Sequence, residues 1–359
     1  MNGNKRGEIS MKKLCKILIF MLLVVTLLPM LASASDANFA VEAIIPDNQI
    51  STEATWFNLL VEPGDRQTLE LQLRNNTDDD MTVEVDVAAA TTNLNGIVEY
   101  RTRADIERDS TLTHDLADLV TFPETVDVPA NGLAVLELEL AVPNEDFEGL
   151  IAGGVSLHIQ DSEVDEPDEE GRTRIRNRFA YEVAITLQTS EEEMPTPNFV
   201  VNDARAGHLS ARNVIFVNVQ NTEATFATWV SLNGRVFPRG GTVWHWSEVT
   251  LPRSMMFAPN SNMDFPIHLN ALMFEAGEYT ACVTVTIEGL EDEDEMVWED
   301  LCTDFTITPN QAHAFNTGDF DALDTTPVWL IVLLIITAIT AVGVIGAVLY
   351  LKLRERKYF

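Results

Sequence analysis

Apolar and polar residues alternate along most of the chain between residues 36 and 310. The clearest runs place apolar side chains at every second position: Leu69, Leu71 and Leu73; Leu136, Leu138 and Leu140; Val155, Leu157 and Ile159. Alternation of this kind is typical of a short strand that buries one face, and turn residues such as Asn131-Gly132 separate the runs. Regularly spaced strands with such turns predict an all-β fold of antiparallel sandwiches.

The alternation is interrupted at the acidic segment 161–171, which predicts two β-sandwich domains over residues 36–160 and 172–310. The segment resembles a calcium loop, but its sixth position is Glu166 instead of Gly and its twelfth is Arg172 instead of Glu. A solvated hinge is therefore the favoured interpretation. Arginines follow at every second position: Arg172, Arg174, Arg176 and Arg178. They either pair with the acidic hinge or bind an anionic polymer.

The beginning of the chain predicts an export signal. Residues 1–34 combine a basic start, an apolar stretch from Ile17 to Leu28 and the small residues Ala32-Ser33-Ala34. This order is typical of a secretory signal peptide, and we expect cleavage after Ala34.

The end of the chain predicts a membrane anchor. Residues 328–351 contain no charged side chain, and such a helix is long enough to cross a bilayer. Basic residues in the tail 352–359 hold that end inside by the positive-inside rule, and residues 311–327 form a tether. The predicted location is the cell membrane, with one span, an ectodomain outside the cell within or at the wall, and a short cytoplasmic tail.

Charge separates this ectodomain from the two ends. The chain has 56 Asp and Glu against 23 Lys and Arg, a net charge of −33. The acidity excludes a nucleic-acid-binding protein, because no basic stripe is available to neutralise phosphates. Every basic residue between the predicted signal peptide and the predicted span is Arg.

The mature chain keeps two cysteines, Cys282 and Cys302. An acidic tip, residues 291–295, lies between them. A hairpin centred on Asp292 places the two cysteines directly opposite each other, because 292 is midway between 282 and 302. Opposed positions are close to disulfide reach, and disulfides persist outside the cell. We predict a disulfide; the alternative is two free buried thiols.

Signals for catalysis are absent. The sequence holds no HExxH, GxSxG, P-loop or CxxC motif, and no two histidines have the spacing of a zinc pair. We therefore predict a protein that is not an enzyme and that needs no cofactor and no metal.

A set of motifs resembles the WxL-interacting proteins of Gram-positive bacteria. The first domain contributes Pro46-Asp47-Asn48-Gln49, Thr91-Thr92-Asn93-Leu94-Asn95-Gly96 and Phe147-Glu148-Gly149-Leu150-Ile151-Ala152-Gly153-Gly154; the second contributes Met256-Phe257-Ala258-Pro259-Asn260-Ser261 and Gly277-Glu278-Tyr279. The resemblance implies two immunoglobulin-like domains, the first binding peptidoglycan and the second binding host proteins. It also implies a partner with a Trp-x-Leu domain, a sequence that this chain lacks.

One motif is a candidate glycan-binding loop. Its residues are Thr92, Asn93, Asn95, Gly96 and Tyr100. Amide side chains both donate and accept hydrogen bonds, Gly permits close approach of the backbone, and Tyr100 offers an aromatic surface. The alternative is a tight turn with Tyr100 packed beneath it.

Together these features favour a membrane-anchored surface scaffold that binds peptidoglycan and a WxL-domain surface protein. An adhesin for host extracellular-matrix proteins is the alternative. A wall-active enzyme is a third hypothesis, for which no catalytic residue can be named.

Salt is expected to stabilise the ectodomain. Screening weakens repulsion among its carboxylates, and Arg keeps its charge at alkaline pH values at which Lys begins to lose it. We predict a saline or alkaline habitat, and a thermal unfolding midpoint that rises with NaCl and is retained at alkaline pH. Calorimetry across a salt and pH series measures this, and a midpoint that falls as salt and pH rise would refute it.

Overall fold

The structure is a computed structural model. It describes residues 39–51, 53–102, 108–160, 180–191, 194–241, 243, 246–270, 272–289, 295–319 and 328–355. The predicted signal peptide (1–34), the predicted hinge (161–171) and the arginine row at 172–178 lie outside the described residues. The described part is mostly β-strand, which confirms the predicted all-β class.

The first domain is a sandwich of a four-stranded and a five-stranded sheet. The four-stranded sheet has the order β1-β3-β9-β7 and the five-stranded sheet the order β2-β11-β10-β4-β8. The elements are β1 (Phe39–Ile44), β2 (Phe57–Leu60), β3 (Arg66–Asn75), β4 (Met81–Ala89), β5 (Thr91–Thr92), β6 (Val98–Glu99), α1 (Leu116–Leu119), β7 (Val120–Thr121), β8 (Thr125–Val128), β9 (Leu133–Ala141), β10 (Ile151–Ile159) and β11 (Ala180–Gln188).

The alternating leucines form the core of this sandwich. Leu69 lies opposite Leu138 and Leu71 opposite Leu136 across β3 and β9, and all four are at most 1 % exposed. Cross-strand apolar pairs on one face are the unit that stabilises a sheet. The period-two pattern therefore identified this face correctly.

The first domain includes strand β11, so the boundary between the domains lies later than the predicted hinge 161–171. The strand pairs with β10 from Ile151 opposite Leu187 to His158 opposite Ala180, and it lies inside the first domain's five-stranded sheet. The acidic segment therefore joins two neighbouring strands of one sheet, and the first sandwich extends to Gln188. The alternation in β11 shows which face is buried but does not show which sheet the strand joins.

The second domain is also a sandwich, with a three-stranded sheet of order β12-β13-β17 facing a five-stranded sheet of order β15-β14-β18-β19, in which β16 also pairs with β14. Its core includes Phe199, Phe257 and Phe265. The strands are β12 (Phe199–Leu209), β13 (Arg212–Asn221), β14 (Ala227–Pro238), β15 (Trp246–Val249), β16 (Met255–Phe257), β17 (Ser261–His268), β18 (Gly277–Ile287) and β19 (Met296–Ile307).

A disulfide links the last two strands. Cys282 and Cys302 are bonded, are directly opposite each other in the β18–β19 register, and have Cα atoms 4.1 Å apart. Closing a loop of this length restricts the unfolded chain and contributes about 3 kcal/mol in the chain-entropy model.

Helix α2 (Pro309–Gly318) occupies the first part of the predicted tether 311–327. Thr308 caps it with a capping box, and the side chain of Asn316 accepts a hydrogen bond from the Phe274 amide at 2.8 Å. Asp319, just past the helix, accepts from the Asn213 amide at 2.8 Å. The helix is therefore part of the second domain, and residues 320–327 of the predicted tether lie outside the described residues.

Helix α3 (Val328–Glu355) follows and includes the predicted span 328–351. Within the part of the chain that the structure describes, no helix meets the length and hydropathy that a membrane crossing needs. The span stays a prediction.

Truncation tests the position of the boundary. A chain of residues 36–160 lacks β11 and with it the fully buried Ile185 and Leu187. Losing two such side chains costs roughly 4–10 kcal/mol, comparable to the stability of a whole domain. We expect circular dichroism to show no cooperative melt for 36–160 and a cooperative melt for 36–190. Equal melting of both chains would contradict the assignment of β11.

Candidate ligand-binding junction between the two domains

The candidate glycan loop is a tight turn between β5 and β6. The Asn93 amide donates to the Ile97 carbonyl at 2.9 Å, and the Gly96 amide donates to the Asn93 carbonyl at 2.9 Å. The side-chain oxygen of Asn93 accepts from the amides of Asn95 and Ile97 at 2.8 and 3.1 Å. Gly96 has a φ of +68°, which Gly adopts without strain. Asn93 and Gly96 thus stabilise the turn, whereas glycan contact by the loop stays a prediction.

Thr92 joins this turn to the second domain. Its side chain is 3 % exposed, and its hydroxyl lies 2.7 Å from the Ser261 hydroxyl and accepts from the Ala258 amide at 3.0 Å. The Gly96 carbonyl accepts from the Met256 amide at 2.8 Å. The hairpin of the first domain is therefore fixed against the β16–β17 connection of the second.

Asp109 forms a second polar link across the junction. It is 9 % exposed, and its carboxylate accepts from the side chains of Gln220 and Asn262, each at 2.6 Å. It also accepts from the amide and hydroxyl of Thr111 at 2.9 and 2.7 Å. A buried carboxylate is stable when its oxygens are hydrogen-bonded, and the second domain supplies the two hydrogen bonds that Asp109 does not receive from Thr111.

The consecutive glycines of β10, Gly153 and Gly154, point to opposite faces of their sheet. A β-carbon on Gly153 would lie 2.8 Å from Leu116 Cβ, and one on Gly154 would lie 2.7 Å from Tyr100 Cβ. Both distances are shorter than real side-chain contacts, so each position requires Gly. Gly154 thereby lets Tyr100 pack on the outer face of the sheet.

Tyr100 is half-buried at the junction. Its amide donates to the Glu182 carboxylate at 3.2 Å. Burial, followed by the negative charge of Glu182, raises the pKa of the Tyr100 phenol above its ordinary value. Tyr100 packs against Gly154 of the first domain, and it also borders an open groove.

This aromatic groove has a volume of ≈ 900 Å³ and lies where the two domains meet. Rings and apolar side chains from both domains line it, and we define it by Trp56, Tyr100, Tyr181, Phe226 and Met256. The sequence did not reveal it, because its residues lie far apart along the chain.

The Pro46–Gln49 motif positions the loop that carries Trp56. The Gln49 side chain donates to the Trp56 carbonyl at 2.8 Å and accepts from the Asn58 amide at 3.0 Å. The Asn48 side chain donates to the Leu60 carbonyl at 3.0 Å. These bonds stabilise the approach to β2, so the motif supports the groove through Trp56.

A polar hollow of ≈ 610 Å³ adjoins the turn at a different part of the junction. Amide side chains dominate its lining, and we define it by Asn93, Asn202, Asn218, Gln220, Asn262 and Asp264. Asn202 donates to Asn218 and Gln220 at 2.9 and 3.0 Å, so the amides form one network.

Arg205 closes one side of the hollow. Its guanidinium forms a two-pronged ion pair with Asp264 and lies 5.3 Å from the centre of the Phe216 ring. Burial alone would raise the Asp264 pKa, but hydrogen bonds from Arg205 and Asn218 outweigh it and lower the pKa. Among the described residues, no group of three His, Cys, Asp or Glu side chains is placed to hold a metal.

Two family models cover the two domains. Residues 39–158 match the WxL Interacting Protein peptidoglycan binding domain, and residues 170–317 match the WxL Interacting Protein host binding domain. The chain belongs to the WxL Interacting Protein family. This confirms the resemblance and indicates peptidoglycan binding and host binding. The model for the host binding domain begins before β11, although β11 completes the sheet of the first domain.

No curated protein matches this WxL Interacting Protein. Similar solved structures include a chain of a chaperone–tip adhesin complex of CFA/I fimbriae biogenesis, 13% identical with a TM-score of 0.29, covering 74% of this chain and 100% of that chain. The CsuC–CsuE complex of Acinetobacter baumannii is 14% identical with a TM-score of 0.29, covering 64% and 90%. The CupB2 chaperone of Pseudomonas aeruginosa is 11% identical with a TM-score of 0.24, covering 67% and 92%.

Two neighbouring threonines test the junction. Thr92→Val keeps the shape but leaves the buried Ala258 amide without its acceptor, which costs about 1–3 kcal/mol. Thr91→Val is the matched control, because the Thr91 hydroxyl is buried and has no hydrogen-bond partner among the described residues. We expect urea unfolding of the two-domain region, residues 36–319, to shift to lower concentration only for Thr92→Val. Equal shifts would contradict the role assigned to Thr92.

Proposed function

We propose that the chain is a membrane-anchored cell-surface scaffold that binds peptidoglycan and WxL-domain surface proteins. The observation that carries the proposal is the pair of family matches, which together cover both sandwiches. The predicted signal peptide and span support an ectodomain outside the cell and a single-pass anchor in the cell membrane.

The polar hollow supports the glycan part of this function. A polysaccharide presents hydroxyls and acetamido groups, and amide side chains match both because each carries a donor and an acceptor. Asn93 comes from the first domain and Asn202 and Asn218 from the second. The proposed glycan site therefore needs both domains in their observed arrangement.

The docking of α2 supports action close to the membrane. With the helix attached to the second domain, only residues 320–327 separate that domain from α3. Eight extended residues reach at most about 28 Å. If α3 is the span, the second domain lies near the bilayer, inside the wall.

Catalysis is not part of the proposal. The chain lacks the sequence motifs of the common hydrolases, and no residue at its candidate surfaces is nominated as a nucleophile. We propose that the protein acts by binding alone.

A host-matrix adhesin is the second candidate function. The description of the second family model as a host binding domain favours it. The short distance between the second domain and α3 favours the scaffold, because a domain inside the wall meets host proteins less readily.

Pull-down experiments test the scaffold. We expect the purified ectodomain to be retained by peptidoglycan sacculi and by a purified WxL-domain protein. Asn202→Ala removes the amide that donates to Asn218 and Gln220 in the hollow, and we expect it to weaken retention on sacculi several-fold, the equivalent of about 1 kcal/mol. Asn198→Ala is the control, since Asn198 is an exposed residue outside the hollow. Sedimentation and band densitometry measure the retained fraction.

Two outcomes would count against the scaffold. Retention on fibronectin or collagen, without retention on sacculi or on the WxL-domain protein, would favour the adhesin. Release of soluble sugar from sacculi by the ectodomain would instead revive a wall-active enzyme.

A further inference from the structure

The aromatic groove borders two strand edges that have no neighbouring strand among the described residues. β1 is the last strand of its sheet and pairs only with β3 among the described strands. β2 pairs with β11 only at Ile185–Gln188, so the first half of β11 has no described strand on that side. Main-chain groups at such edges are available to an extended peptide.

The free edge of β1 faces the groove. The Tyr181 hydroxyl donates to the Phe39 carbonyl at 2.6 Å, so the main-chain groups of Phe39 point away from β3. In an antiparallel ladder, alternate residues present their N–H and C=O groups to the same side. Val41 and Ala43 therefore direct these groups to the same side as Phe39, and both residues line the groove.

The charge of the groove selects among extended ligands. Glu42, Glu53 and Glu182 line it together with the aromatic rings, whereas the described residues of its lining include no Lys or Arg. None of the three forms an ion pair with a cation among the described residues. A ligand with basic side chains would find compensating charge here, and apolar side chains would find the rings.

We propose that the aromatic groove binds an extended peptide segment of a partner protein, one that alternates basic and aromatic or aliphatic side chains and adds a strand to β1. The proposal rests on the proposed function, because it takes the protein partner as its ligand. It names a site for that partner separate from the polar hollow. Main-chain pairing with β1 supplies affinity, and the rings and carboxylates supply specificity.

The test uses the full-length protein in detergent and a fluorescein-labelled synthetic peptide that alternates Lys with Trp and Leu over eight residues. We expect saturable binding by fluorescence anisotropy, and no binding of the same peptide with Glu in place of Lys. N-methylation of alternate residues on one edge of the peptide removes its amide donors and should weaken binding about tenfold, the equivalent of 1.4 kcal/mol.

Variants of the protein locate the site. The combination Glu42→Gln, Glu53→Gln and Glu182→Gln should weaken peptide binding about tenfold. Its control neutralises three exposed carboxylates elsewhere on the first domain: Glu124, Glu137 and Glu139. This control makes the same change in net charge. Equal weakening by both triple variants would therefore show that binding depends on the overall negative charge and not on the groove, and would overturn the proposal.

A backbone variant tests strand addition. Ala43→Pro removes an outward N–H that β3 does not use, and edge positions of this kind accept Pro. We expect about tenfold weaker peptide binding with an unchanged melting curve. If Ala43→Pro unfolds the domain, the N-methylated peptide still decides: binding equal to that of the parent peptide would overturn strand addition.

Other occupants give distinct results. Chitohexaose that binds the full-length protein and loses affinity in the Glu42/Glu53/Glu182 variant would make the groove a glycan site and overturn the proposal. The chain's own segment 172–178 is another possible occupant. If the peptide binds only after Arg172, Arg174, Arg176 and Arg178 are all changed to Gln, this segment occupies the groove and the proposal of a partner peptide is overturned. Retention on sacculi is measured in parallel, so failure of peptidoglycan binding is separable from failure of the groove.

Discussion

The junction depends on one buried hydroxyl. Thr92 accepts a hydrogen bond from the Ala258 amide and lies within hydrogen-bond distance of Ser261, where water has been excluded. A polar group in such a place is costly when it is unpaired and favourable when it is paired. The β5–β6 hairpin can therefore occupy this position only in register with the second domain. Most of the geometry described above follows from that docking.

Small residues make the docking possible. The outer face of the five-stranded sheet carries small side chains at Gly154 and Ala152 on β10 and at Ala90 next to β5. Tyr100 and Phe226 pack directly against these small residues. The same arrangement brings aromatic side chains from separate parts of the chain into one groove and amides from both domains into one hollow. The two candidate surfaces are thus products of the junction, and neither belongs to a single domain.

Local patterns predicted what depends on neighbouring residues. Alternation identified Leu69 and Leu136 as core, and the symmetry of the last hairpin placed Cys282 opposite Cys302, where the structure has the disulfide. Long-range assignments were beyond such patterns. The alternation in β11 does not predict which sheet the strand joins. The polar side chain of Thr92 gives no indication that it is buried, and no local motif connects Trp56 with Phe226. Thr308 and Gln311 of α2 form a capping box that is visible in the sequence, but the contact of Asn316 with Asn213 depends on the tertiary fold.

Strand β11 follows the acidic segment in the sequence, but it pairs with β10 in the sheet of the first domain. His158 and Ala180 face each other in the sheet, while the acidic segment between them is the natural place to expect a division of the polypeptide into two functional halves. A single protease cut there would yield two fragments, with β11 belonging covalently to the second and structurally to the first. The cut would leave the halves held together by a full strand ladder and a shared core, so the two domains would stay one particle after losing one peptide bond.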